Sequence, residues 1–143
     1  MTKTEDHIIA LADRVEALTG PDRGVDAAIV LAICRGATVG HYAADDDGDI
    51  VFHAAAIGIR DKSTCPHFTA SLDAAMTLVP KGVGGEPLMT KIMNVPFATR
   101  RPPANCEIID TLTGRGWTAE AAIPALALTA AALRAMAGGQ TNA

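Results

Sequence analysis

The sequence predicts an α+β fold, a small antiparallel β-sheet packed with α-helices in layers. Three observations carry this. The run from Ile123 to Ala137 is the most apolar in the chain and reads as one buried helix. Two amphipathic helical runs open the chain. Two strand-like segments joined by turn-forming residues fall between residues 88 and 112. Helical runs beside a short meander suit an α+β layering.

The C-terminal run is helical because Ala, Leu and Met dominate it, and these are strong helix formers. Pro124 is tolerated only in a first turn, so the helix starts at Ile123 or Pro124. Ile123, Leu126, Ala127, Ala130, Leu133 and Ala137 share a face. Leu128, Ala131, Ala132 and Met136 widen it, and Arg134 is the only charge after Pro124. Gly138 is expected to stop the helix in a left-handed cap. The run falls short of the roughly 20 apolar residues a bilayer span needs, so a core helix is expected and no membrane association.

In chain order, Thr2-Lys-Thr-Glu5 is a capping box. Ile8, Leu11, Ala12, Val15 and Leu18 recur at helical spacing until Gly20-Pro21, which predicts a helix over 4–18. Asp22 is placed to cap a second helix over 24–35, with Val25, Ala28, Ile29, Ala32 and Ile33 inward. Its short link makes it a neighbour of the first. Residues 37–67 carry the weakest pattern and read as an insertion or loop region. Within them Asp45–Asp49 is a turn signal and Ile50–His53 a short strand. Thr69 or Ser71 caps a third helix over 72–79, with Leu72, Ala75, Met76 and Val79 inward. Pro80–Gly85 breaks the chain. Leu88–Phe97 reads as a strand with Met89, Met93, Val95 and Phe97 on one side, and Pro96 blunts its far end. Asn105–Leu112 is a second strand, and Thr113–Gly116 turns the chain towards Trp117. Residues 1–138 are expected to form one domain, with a disordered tail over 139–143.

The totals limit function. The chain has 143 residues, enough for a real core, and that core is aliphatic because aromatics are only 3% of the sequence. A net charge of −4 argues against general nucleic-acid binding. Three cysteines cannot all pair, which fits a reducing cytosol. Cys34 and Cys106 sit in apolar runs and Cys65 in a loop. The N-terminus is polar and acidic and has no signal-peptide pattern, so a cytoplasmic location is expected.

Three blocks carry a resemblance: Leu18–Ile29, Phe68–Pro80 and Ala122–Ala135. In this order they resemble the phage ABA sandwich proteins, small phage and prophage proteins mostly of unassigned function. The resemblance covers about half the chain. It implies helix–sheet–helix layering and a viral or prophage setting, and supplies no catalytic residues. Ile123 stands where the family usually has a capping Thr. Lys81-Gly-Val-Gly-Gly85 stands where it usually has Gly-Trp.

Chemical constellations are sparse. His41, His53, His67 and Cys65 are the one set to weigh for a metal, but Cys65-Pro-His67 is too tight for a zinc pair and no second pair follows. Asp45-Asp-Asp-Gly-Asp49 puts Ile50 and Ala56 where a calcium loop needs Gly and Glu. Ser63, Cys65 and Ser71 lack a nucleophile signature. Gly82, Gly84 and Gly85 lack the Lys-Ser/Thr of a phosphate loop. No catalytic residue, cofactor or metal is therefore expected, and the protein is read as not an enzyme. Arg100, Arg101, Arg115 and Trp117 form the candidate ligand site, because arginines grip phosphates and an aromatic stacks a base. The alternative for these four is solvated turn charges plus a Trp seated over the helix layer.

The expected function is a phage-encoded, non-enzymatic binding module with an anti-defence role, sequestering a small anionic nucleotide signal. The alternatives are a structural homo-oligomer without a ligand, and a small enzyme. A sheet of only two or three strands leaves edges to be covered, so a homo-oligomer is expected, with any anion site at the subunit boundary. The metal reading yields a simple expectation: chelators leave the fold intact, because no structural zinc contributes to it. Stoichiometric zinc in elemental analysis of purified protein overturns this and implicates His53, Cys65 and His67.

Overall fold

A computed structural model of the chain describes residues 3–33, 43–44, 50–53, 62–64, 67–82, 85–94 and 103–140. The elements are α1 (Lys3–Glu16), α2 (Arg23–Ile33), β1 (Ala43–Ala44), β2 (Ile50–His53), β3 (Lys62–Thr64), α3 (Leu72–Met76), β4 (Met89–Asn94), β5 (Ala104–Asp110), β6 (Arg115–Ala121) and α4 (Pro124–Gln140). The class is α+β, as the periodicities predict. Two antiparallel meanders are present among the described residues, ordered β1-β2-β3 and β4-β5-β6.

α4 is the middle layer. Every residue from Ala125 to Leu133 is buried. The β4-β5-β6 sheet lies on one side of it, and α1 and α3 pack on other parts of its surface. The sheet contributes Ala104, Cys106 and Ile108 from β5 and Ala119 and Ala121 from β6, all buried. From α1 come Ile8, Leu11, Ala12 and Val15, also buried and at helical spacing. α2 packs beside α1. Among the described residues the layers run sheet, α4, then α1, and the opposite face of the sheet is left bare, with Met89, Lys91, Met93, Asn105, Thr118 and Glu120 exposed.

Side-chain caps fix the ends. The Val25 amide donates to Asp22 Oδ1 at 3.0 Å, which caps α2. Ser71, rather than Thr69, caps α3 by accepting from the Ala74 amide at 3.2 Å. Thr69 ties the preceding turn to α2 instead. Its hydroxyl accepts from the Asp22 amide at 2.9 Å, and its own amide donates to Asp26 Oδ1 at 2.9 Å. Asp26 is fully buried and paired with Arg23 at 2.9 Å. The Thr129 hydroxyl of α4 donates to the Phe68 carbonyl at 2.9 Å. Residues 68 and 69 are thus tied to two helices by polar groups that burial would otherwise penalise.

The structure departs from the sequence reading in four places. The third strand of the main sheet is β6, a segment the sequence reading leaves as a turn and a lead-in to the helix. β5 is therefore the central strand and not an edge. α3 spans only 72–76, so Leu72 and Met76 are exposed, while Leu78 and Val79 reach the core from the turn that follows. α4 does not stop at Gly138 but continues to Gln140. Thr2 of the capping box, the turn over 45–49, the strand end over 95–97 and residues 141–143 lie outside the described residues.

Leu126 is fully buried in the face of α4 that joins the layers. Leu126→Ala is expected to cost about 2–5 kcal/mol, read as a lowered urea midpoint. An unchanged midpoint would sink the claim that α4 is the core.

Candidate functional site

The β5–β6 hairpin positions the ligand residues named from the sequence. Gly114 closes its turn with φ +74°, a conformation that favours glycine. The Asp110 carboxylate braces the turn by accepting the Leu112 amide at 3.0 Å. Arg115, exposed, and Trp117, half-buried, follow two residues apart on the sheet face that looks towards α4. The Arg115 guanidinium carbon stands 5.2 Å from the centre of the Trp117 ring. The indole lies against α4 at Gly138, where a Cβ would come within 2.6 Å of its ring nitrogen. Trp117 is thus seated on the helix layer with Arg115 over it. Arg100 and Arg101 lie outside the described residues, so the structure brings only Arg115 and Trp117 of the four together.

The remaining sequence candidates are placed as follows. His67 is exposed, His53 lies on β2, and His41 and Cys65 fall outside the described residues. No group of three metal-ligating side chains occurs among the described residues. The Gly82 amide donates to the Glu86 carbonyl at 2.8 Å and the Gly85 amide to the Gly82 carbonyl at 3.0 Å, so these two amides serve the turn. Among the described residues no helix is long and apolar enough to cross a membrane.

A cleft of about 410 Å³ opens at the β6 edge of the sheet, lined among others by Glu16, Glu107, Glu120, Thr118 and Arg134. Arg134 is the lone charge of the apolar C-terminal run. Its guanidinium donates to the Thr118 carbonyl at 2.8 Å and to Asp13 Oδ1 at 2.8 Å, and it also pairs with Glu16. The second Glu16 oxygen accepts the Glu120 amide at 2.8 Å. Two outward-pointing backbone groups of β6 are therefore satisfied by side chains from α1 and α4. The Arg134 hydrogen bond holds the Glu16 carboxyl below its ordinary value of 4.5, against the opposing effect of burial. Reciprocally, Glu16 raises the Arg134 pKa.

Chemically, the cleft is acidic: three glutamates line it with one arginine, and that arginine is already paired with Asp13 and Glu16. A phosphate would be repelled here. Burial pushes the thiol of Cys106, a core residue, up to about 11, with Glu107 adding to the shift, so it remains a thiol at neutral pH and a poor nucleophile.

The other notable surface is the bare sheet face. The strand register sets Met89 opposite Ile109, Lys91 opposite Glu107 and Met93 opposite Asn105 on that face. Met89 is 58% exposed and Met93 43%. Comparison with protein-family models, curated proteins and solved structures finds no match to this chain.

The Glu16 contacts give a pH dependence. A carboxyl depressed in the fold contributes stability that is fully present above its unfolded value and is lost as pH falls through the folded value. With 4.5 as the ordinary value, stability should fall on acidification below about pH 5. Glu16→Gln should flatten the part of this slope that Glu16 supplies. Identical slopes of unfolding free energy against pH in the two proteins would remove the pair from the account.

Proposed function

We propose that this chain is a non-enzymatic binding module whose working surface is the bare face of the β4-β5-β6 sheet and whose ligand is another protein surface. The observation that carries the reading is the pair of exposed methionines, Met89 and Met93, on one face of β4. Methionine is polarizable and adaptable, and it is enriched at protein interfaces. Ile109 lies beside Met89 across the strand pair and extends the apolar strip. Lys91 and Glu107, opposite one another, add charges of both signs.

The polar groups of the cleft suit a structural role better than catalysis. Arg134 and Glu16 are occupied with the β6 edge, and Cys106 is held as a thiol. The nucleotide-sequestering reading rests on Arg100, Arg101, Arg115 and Trp117. Arg115 is taken up with Trp117, and Trp117 with Gly138, which favours the protein-binding reading over it. The family resemblance supplies the setting of the proposal, a phage or prophage accessory protein acting in the host cytoplasm.

Photo-methionine incorporated in producing cells tests the surface. Irradiation is expected to yield protein–protein adducts that map to Met89 or Met93. Adducts absent from both positions overturn the reading. An upward thermal shift with cyclic dinucleotides or ADP-ribose, abolished by Arg115→Ala, would move the function to the nucleotide class.

A further inference from the structure

The two edges of the main sheet differ in kind. In an antiparallel ladder, successive residues point their amide and carbonyl alternately to one side and the other. The Glu120 amide and Thr118 carbonyl point away from β5, into Glu16 and Arg134. The residues of β6 that bond to β5 are therefore Trp117, Ala119 and Ala121, which stand opposite Ile108, Cys106 and Ala104. On β5 this leaves Asn105, Glu107 and Ile109 to bond to β4, through Met93, Lys91 and Met89. Thr90 and Ile92 then aim their backbone groups off the far side of β4. No strand pairs there among the described residues. Among the described residues the backbone bonds at that side come earlier, where the Leu88 amide donates to the Pro80 carbonyl at 3.0 Å and the Gly82 amide to the Glu86 carbonyl at 2.8 Å. Side chains engage the β6 edge at Thr118 and Glu120, whereas among the described residues no strand covers the β4 edge from Thr90 onward.

The open edge is self-complementary. Along the bare face its side chains read Met89, Lys91, Met93, the same in both directions. A two-fold axis through Lys91 would place Met89 of one chain opposite Met93 of the other, twice, and Thr90 opposite Ile92, twice. The outward amides and carbonyls of Thr90 and Ile92 would then bond across the axis. The segment near Pro80 blocks the edge before Met89, so the paired length is the five residues 89–93. The two lysines would meet at the axis, each with its own Glu107 on the far side, so the row of four charges is neutral. A symmetric interface requires a patch that complements itself, and this strand supplies one.

We propose that β4 pairs antiparallel with β4 of a second copy about Lys91, joining two three-stranded sheets into one. This rests on the bare face being a protein-binding surface and names its occupant. The geometry is specific. Residues facing each other at a non-hydrogen-bonded position have Cα atoms about 4.5 Å apart, within disulfide range. Position 89 lies about 13 Å from its own copy, at about 3.3 Å per residue along the strand.

The test uses the full chain with Cys34→Ser and Cys65→Ser. Light scattering at micromolar concentration is expected to give twice the chain mass. Met89→Lys with Met93→Lys should weaken the dimer about tenfold or more while leaving the circular dichroism spectrum unchanged. Under mild oxidation Lys91→Cys should form a linked dimer and Met89→Cys should not. Lys91→Thr should tighten the dimer, because it removes like charges that face each other. A monomeric mass overturns self-pairing, and photo-methionine adducts to other proteins at Met89 or Met93 would show that the module reading survives without it. A dimer that links through Met89→Cys and not through Lys91→Cys overturns the register.

Discussion

The structure depends on keeping α4 out of water along nearly its whole length. A helix with one apolar stripe needs one neighbour; this one is apolar all round and needs neighbours on several sides. Its alanines make it thin, so the sheet and α1 approach closely, and Leu126, Leu128 and Leu133 fill the space between. The requirement explains the layering. The sheet must turn its small residues, Ala104, Cys106, Ala119 and Ala121, towards α4, and α1 must supply the larger Ile8, Leu11 and Val15. It also explains why Thr129, the one polar residue in the buried stretch 125–133, is bonded to the Phe68 carbonyl.

Much of this is legible in the sequence where a period of 3.6 is repeated. α1, α2 and the start of α4 at Pro124 follow from spacing, caps and proline, and Asp22 caps where it was expected to. β6 is not legible for a physical reason. Its residues, Arg-Gly-Trp-Thr-Ala-Glu-Ala, include only one β-branched side chain, Thr118, and rank low in strand propensity. It is a strand because β5 pairs with it across a tight turn, a tertiary cause that no local pattern records. Gly138 misleads in the opposite direction. A glycine late in a helix resembles a stop, but here it is a notch that admits the Trp117 ring. Leu72 and Met76 look inward by period, yet a helix of 5 residues is too short for its period to decide its facing.

The candidate site divides in the same way. Arg115 and Trp117 are close in sequence and meet in space, but they engage the fold and each other. The Glu16–Arg134 pair joins residues 118 apart in the chain. The one local hint is that Arg134 is a lone cation on an apolar helix, and such a charge at the margin of a core requires partners. The partners are two acids and a backbone carbonyl, so the most polar cluster of the cleft serves architecture. Exposed methionine on a strand is the opposite case: the sequence shows the residue, and only the sheet shows which face it occupies.

The closure of the β6 edge by Glu16 and Arg134 has a bearing on stoichiometry. A sheet with two open edges has a valence of two, and strand addition can continue without limit into a fibre. A sheet with one edge closed by side chains has a valence of one. Its growth saturates after a single addition, as in a polymerisation with a built-in terminator. In the proposed pairing, the ion pair that satisfies two backbone groups would also set a ceiling on assembly, and its loss would leave a second edge for strand addition.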